Sequence, residues 1–310
     1  MKVMITGGAG FIAFHLANQL IDEGHTVCGF DNFNDYYDPA LKRKRVMLLE
    51  ERGIPVSEID LKDADAVSRY VEEEVPDTVI HLGAYANPRH GAEFPELYLD
   101  NNCMGSLNLI RALEKHNIRN VIYASTSCVM HGNPLPWREF EMLAPQINPY
   151  GYSKMVNESQ FAISTIPNAV GLRFFTVYGP WGRPDMALFD FTKKILDGNP
   201  ITLYNYGDMK RDFTYVDDIV QGIILVMNNM TERDMYNIGR GEPVELERFV
   251  DAIETSLGVK AIREYGPQHP ADAKDTWSDT TKLQKLGYNP QTSIEEGVNK
   301  FVQWYRRYHN

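Results

Sequence analysis

A chain of 310 residues is too long for one small core. At roughly 100–200 residues per domain it points to two domains, or to one large domain with an appendage. Its 43% hydrophobic and 24% charged content excludes disordered, collagenous and coiled-coil classes. Lys and Arg total 31 against 42 Asp and Glu, for a net charge of −11, and the densest basic cluster is only Lys42–Arg45. No nucleic-acid partner is therefore expected, and any anionic ligand must be met by a few placed cations.

The predicted strands of the first half are Lys2–Thr6, Thr26–Phe30, Pro55–Ile59, Thr78–Leu82, Asn120–Ser125 and Ala169–Phe174. Helical patterns over Phe11–Glu23, Ala64–Glu74, Glu96–His116 and Tyr150–Ser164 alternate with them. Such alternation implies an α/β fold with a doubly wound parallel sheet of Rossmann type, because parallel neighbours need crossover connections. The rhythm changes after Phe175. A glycine-, proline- and aromatic-rich loop, Tyr178–Pro184, is followed by helices at Leu188–Leu196, Val216–Met227, Leu246–Leu257 and Ile294–Tyr308, with short strands between. Residues 1–175 are expected to form the cofactor-binding domain and 176–310 a smaller α+β substrate domain, with an approximate boundary that the chain can recross.

Cys28, Cys103 and Cys128 are few, odd in number and far apart. They offer neither a disulfide framework nor metal-ligand spacing, so no metal is expected and a reducing cytoplasm suits them. The longest apolar run, Ile223–Met227, is far below the roughly 20 residues that span a bilayer, and no signal-peptide core forms before Gly7. No membrane partner is expected.

The first strand runs into Gly7-Gly8-Ala9-Gly10-Phe11-Ile12-Ala13, which opens a helix. Gly7 allows the tight turn, Gly10 lets backbone approach a pyrophosphate, and the small Ala13 permits close packing of helix on strand. The helix N-terminus adds N–H donors and a positive dipole end. Asp31 follows about 20 residues on, after the second strand, where a carboxylate can accept from both ribose hydroxyls of NAD and would repel the 2′-phosphate of NADP. Asp60, after the third strand, suits the adenine edge or is a solvated loop acid. Leu82-Gly83-Ala84 after the fourth either admits a pyrophosphate or marks tight packing.

Tyr150 and Lys154 stand four apart at the start of a predicted helix and so share a face. The spacing alone means little, since Tyr206 and Lys210 repeat it in a loop-like segment. Context separates the two: Tyr150 follows Pro149 at a helix start and is preceded by the strand-end hydroxyls Ser125-Thr126-Ser127. A nearby ammonium lowers a phenol's pKa, so Lys154 is expected to hold Tyr150 partly ionised while Thr126 hydrogen-bonds the reacting oxygen.

Together these features resemble the extended short-chain dehydrogenases/reductases that act on nucleotide sugars (the NAD-dependent epimerase/dehydratase group). More narrowly they resemble the UDP-glucuronate 4-epimerases. Asp31–Lys42, Leu172–Ala187 and Arg211–Asp218 carry the resemblance, which spans essentially the whole chain. It implies that Gly7, Gly10, Phe11, Ile12, Asp31, Asn32, Asp60, Leu61, Leu82 and Ala84, with Tyr150 and Lys154, line NAD. It places Thr126, Ser127, Cys128, Tyr150, Thr176, Arg183, Arg211 and Arg89 around a UDP-sugar, with Tyr150 as base and Lys154 also on the nicotinamide ribose. Thr176 and Arg183 then hold a uronate carboxylate, and Arg211 grips the diphosphate. An arginine fork is the donor set a buried carboxylate requires.

Three departures stand out. Ala13 replaces a third glycine; the turn after the fifth strand is one residue longer than usual, so counting back from Gly132 nominates Ser127 rather than Thr126; and Arg89-His90-Gly91 differs from the usual Arg-Tyr-Ser. Strand geometry favours Thr126. The resemblance further implies that relatives which dehydrate or decarboxylate their sugars carry acids after the catalytic Thr, where this chain has Ser127 and Cys128, neither an efficient acid at neutral pH. The expected activity is inversion of carbon 4 of UDP-glucuronate to UDP-galacturonate by transient oxidation with bound NAD. UDP-glucose/UDP-galactose epimerisation or a related dehydration or decarboxylation stays open, as do a net oxidoreductase and a non-catalytic NAD-binding regulator. A homodimer through the helices at Glu96–His116 and Tyr150–Ser164 is expected.

Overall fold

The computed structural model describes residues 1–309. Lys2–Thr6 (β1), Phe11–Asp22 (α1), Thr26–Asp31 (β2), Pro39–Glu50 (α2), Val56–Glu58 (β3) and Ala64–Glu74 (α3) open the chain. Thr78–His81 (β4), Pro88–Glu93 (α4), Pro95–Tyr98 (α5), Gly105–Lys115 (α6), Asn120–Thr126 (β5), Pro149–Ile163 (α7) and Asn168–Phe174 (β6) follow. The second half holds Thr176–Tyr178 (β7), Ala187–Leu196 (α8), Ile201–Leu203 (β8), Lys210–Arg211 (β9), Phe213–Tyr215 (β10), Val216–Asn229 (α9) and Asp234–Ile238 (β11). Val244–Glu245 (β12), Leu246–Leu257 (α10), Arg263–Tyr265 (β13), Thr281–Gln284 (α11) and Ile294–His309 (α12) complete it.

Seven strands form one sheet in the order β3-β2-β1-β4-β5-β6-β11, and every pairing is parallel. The strand order reverses between β1 and β4, which opens a crevice at the carboxyl ends of the strands. Register lines those ends up: Thr6 lies opposite both Phe30 and His81, so the residues after β1, β2 and β4 emerge along one edge. Helices cover both faces, as the buried apolar strands require. One core joins the sheet to α1 and the C-terminal helices; a second packs the other face under α3, α6 and α7.

The division between 1–175 and 176–310 is crossed by the sheet itself, because β11 lies beside β6. The rest of the second half is built on three small pairs, β7/β10, β9/β12 and β8/β13. Among the described residues no helix is long and apolar enough to cross a membrane.

Helices α2, α4 and α11 were not expected. The Asp38 side chain caps α2 by accepting from the Ala40 amide at 2.9 Å, and Pro39 takes the first turn, where its missing N–H costs nothing. The inner face of α2 carries Lys42 and Arg45, both buried, which breaks the apolar stripe a sequence reading looks for. The Asn87 side chain caps α4 in the same way, accepting from the Arg89 and His90 amides. The single helix expected over Glu96–His116 is instead α5 and α6 joined by a π-helical turn, Leu99–Met104. That wider turn buries Asn101 and Asn102. The Asn102 side chain accepts from the Tyr85 amide and donates to the Tyr85 carbonyl and to Ser153 Oγ.

Candidate active site

A cleft of about 370 Å³ runs along the carboxyl edge of the sheet, with the β1–α1 turn at one end and residues of the second half at the other. Gly7 adopts φ +68°, and a Cβ there would lie 2.8 Å from the Gly83 backbone. Two strand-end turns therefore pass at a distance only glycine permits, and together they form a narrow backbone cradle. The Thr6 hydroxyl fixes the crossing: it lies 2.6 Å from His81 Nδ1 and accepts from the Gly83 amide at 3.1 Å. Gly10, Phe11, Ile12, Leu82 and Ala84 complete this end of the wall.

Asp31 and Asn32 line the cleft beyond the cradle. Asp31 is buried and accepts from the Phe33 and Ala9 amides at 2.8 and 3.3 Å. Burial pushes its carboxyl up, while Lys42, 3.9 Å away, acts most strongly in the other direction. Lys42 also donates to the Asn34 backbone and side chain, so this cation is locked in place beside Asp31. Leu61 lines the wall, but the Asp60 side chain does not; it caps the Lys62 amide and accepts from Asn32.

Tyr150, Thr126 and Lys154 meet in the middle of the cleft, all buried. The Asn148 side chain caps α7, accepting from the Gly151 amide at 2.7 Å, and Pro149 occupies its first turn, so Tyr150 faces the end of β5. Strand β5 runs through Thr126; Ser127 opens the following 3₁₀ turn, and the Thr126 hydroxyl accepts from the Cys128 amide at 3.2 Å. Ser127 and Cys128 line the cleft beside it. The second Tyr/Lys spacing is broken up, with Tyr206 exposed in a strained turn and Lys210 in β9.

Burial pushes the Tyr150 phenol above its ordinary value, and the Thr126 hydroxyl and the Arg183 charge pull it down. Lys154 lies deeper, where burial holds its amine down to about 8 while Cys103 and Glu158 support its charge. Glu158, one turn on, is itself fixed by a bidentate pair with buried Arg173 at 2.9 Å and by the Ser125 hydroxyl.

Thr176, Arg183 and Arg211 line the far end. The guanidinium of Arg211 donates to the carbonyls of Lys210, Ala273 and Lys274, and no carboxylate pairs with it among the described residues. Arg183 is paired with Asp185. Arg89 stands outside the lining; it pairs with Asp272 at 2.6 Å and lies over the Tyr204 ring. Sequence reasoning missed Lys42, Tyr36, Tyr37 and the 271–276 segment as parts of the wall. The first three sit in the quoted Asp31–Lys42 stretch, whereas 271–276 carries no local signal. Among the described residues no three His, Cys, Asp or Glu side chains converge as a metal group.

Known proteins resemble the chain over its whole length. The chain is 37% identical to a probable UDP-glucuronate 4-epimerase of Rhizobium meliloti, covering 98% of this chain and 97% of that one. It superposes with a TM-score of 0.92 on the UDP-glucuronic acid 4-epimerase of Bacillus cereus, solved with UDP-glucuronic acid and NAD, at 29% identity over 99% of this chain and 100% of that one. The UDP-glucose 4-epimerase of Thermus thermophilus, solved with NAD, matches at 0.89 and 29%, covering 99% of each chain. The family model that matches residues 3–239 spans most of the chain, and the chain belongs to the NAD dependent epimerase/dehydratase family.

Proposed function

We propose that this protein inverts carbon 4 of UDP-glucuronate, giving UDP-galacturonate, with tightly held NAD. The observation that carries this reading is that Arg183 shares one cleft with Tyr150, close enough for its charge to act on the phenol. The chain thus sets a carboxylate-binding cation next to a proton-transfer group.

The residues present fit NAD: the Gly7/Gly83 crossing leaves backbone open to a pyrophosphate, Asp31 offers a ribose-binding carboxylate, and Lys154 is a buried amine without a carboxylate partner among the described residues. NAD held there would supply reversible hydride acceptance at carbon 4. Tyr150 takes the proton of the carbon-4 hydroxyl and gives it back, and Thr126, at the end of β5, holds that oxygen. Arg211 meets the diphosphate, and Thr176 with Arg183 the uronate carboxylate. Asp60 and Arg89 act from outside the wall, through Asn32 and Asp272. Residues 1–175 supply the cofactor side and 176–310 the nucleotide-sugar side.

Phe94, Leu97, Leu99, Met104, Tyr152 and Ile163 are exposed along the α5–α6 and α7 stretches, and this face suits a homodimer. Three unpaired thiols suit a reducing cytoplasm. A neutral-hexose epimerase is the second reading, favoured by the pairing of Arg183 with Asp185, which leaves little net charge at that wall.

Purified protein incubated with UDP-glucuronate and, separately, with UDP-glucose distinguishes the readings when products are resolved by NMR. Conversion of UDP-glucuronate without net growth of the nicotinamide absorbance supports the proposal; conversion of UDP-glucose alone sinks it. Tyr150→Phe should lower turnover by about 10²–10⁴-fold with the bound cofactor retained.

A further inference from the structure

Arg183 reaches the cleft already engaged. Its Nε and one terminal nitrogen donate to the two oxygens of Asp185 at 3.0 and 2.6 Å, and the other terminal nitrogen donates to the Ala86 carbonyl at 3.1 Å. Of the five N–H groups of a guanidinium, three are taken, which leaves one on each terminal nitrogen for a ligand. Asp185 is pinned in turn by the Tyr36 hydroxyl at 2.8 Å and the Asn87 amide at 2.9 Å. Both partners are only about one-fifth exposed, at 19% and 20%, so solvent does not screen this pair as it does a surface one. Burial alone would raise the Asp185 carboxyl, but the Arg183 charge and its other donors hold it below the usual carboxylate range, so the pair is ionised at neutral pH.

A carboxylate held by a full bidentate fork is fixed in plane and direction. A 4-epimerase must let its keto-sugar turn to present the other face, so a grip that is tightest on one orientation stabilises the ground state at the expense of the turn. We propose that Asp185 is a specificity-setting positioning residue, which occupies the bidentate fork of Arg183 so that a substrate carboxylate is held only by the remaining N–H groups, loosely enough for the sugar to turn. This rests on the uronate reading given above. The same pairing keeps the wall close to neutral, so a neutral hexose is not repelled by a bare cation.

Asp185→Asn keeps the shape and one acceptor, removes the charge and frees at least one guanidinium N–H toward the cleft. KM and kcat for UDP-glucuronate should both fall, each by about fivefold, while both constants for UDP-glucose stay within about twofold. The nicotinamide absorbance at steady state should rise with UDP-glucuronate only, because the oxidised sugar waits longer in the site. Asp185→Glu, which retains the charge, should recover kcat. In an Arg183→Ala background the Asn substitution should change nothing further. Asp185→Ser also removes the charge and gives the same readings should the Asn variant fold poorly. A KM that is unchanged or raised, or equal effects on both sugars, overturns the proposal and leaves Asp185 a structural partner. Wild-type protein that fails to convert UDP-glucuronate overturns the uronate reading and this inference with it; wild-type conversion with an unaltered Asp185→Asn variant overturns the inference alone.

Discussion

At the scale of single residues, the site is governed by which charges are paired. Lys154 is 2% exposed and titrates near 8, against an ordinary 10.5, because burial disfavours its charged form. Between those values the unfolded chain holds a proton that the folded protein has released, so this residue makes stability rise with pH across the window. The full cost of its buried charge is present below about 8. Lys154→Met removes that contribution: its melting temperature relative to wild type should stand highest near pH 7.5 and decline by pH 10. A difference that does not vary with pH would contradict the burial argument. Arg183→Ala tests the other end of the cleft. A 4-keto uronate is a β-keto acid, and without a cation to fix its carboxylate it should lose carbon dioxide more often, read by NMR as more keto-pentose nucleotide per epimerisation. Unchanged partitioning with slower epimerisation would remove this role. Gly7, Gly10, Asp31 and the Tyr150/Lys154 pair were legible in the sequence because each belongs to one local motif. The pinning of Asp185 by Tyr36 was not, since the two lie 149 residues apart in the chain.

At the scale of elements, the strands and long helices of the first half follow the sequence reading to within a residue or two, because buried parallel strands are short apolar runs. The helix α2 escaped because it buries cations. Arg45 is fully buried and donates to the Ala9 carbonyl, the Tyr37 hydroxyl and the Trp181 carbonyl, so a charged residue takes a core position. Its usable signal was the cap, Asp38-Pro39, rather than periodicity. The π-helical turn was likewise hidden, since an extra residue per turn leaves composition untouched. The β1–α1 turn is the most constrained element. Gly7→Ala adds a Cβ at positive φ, 2.8 Å from the Gly83 backbone, and should cost about 1–3 kcal/mol in unfolding free energy. Purified Gly7→Ala should also carry less NAD per chain, measured after denaturation. Full cofactor occupancy would show that the cradle yields elsewhere.

At the scale of the molecule, a net charge of −11 coexists with a cleft whose cations are few and mostly engaged. Lys42 stands beside Asp31, Arg183 binds Asp185 and Arg89 binds Asp272, which leaves Arg211 and Lys154 without carboxylate partners among the described residues. Composition announced that scarcity but not which cations stay free, because pairing depends on local turns, as for Arg183 with Asp185, and on distant segments, as for Arg89 with Asp272. The two-part organisation was legible from the change of rhythm after Phe175. The return of β11 to the large sheet was not, because nothing in Asp234–Ile238 names β6 as its neighbour. A chain ending at residue 175 would leave β6 as a bare, buried-type edge strand. Expressed alone, residues 1–175 should be insoluble or molten by near-ultraviolet circular dichroism, whereas residues 1–239 should recover more soluble protein. A well-folded 1–175 fragment would show that β11 is dispensable.

The shared sheet also bears on descent. A lobe that lends a strand to its neighbour's sheet cannot be traded between relatives as a cassette without breaking seven-stranded pairing. Point changes around the cleft alter sugar preference while leaving that pairing intact. That route is consistent with glucuronate and glucose epimerases superposing on this chain almost equally well, at 0.92 and 0.89.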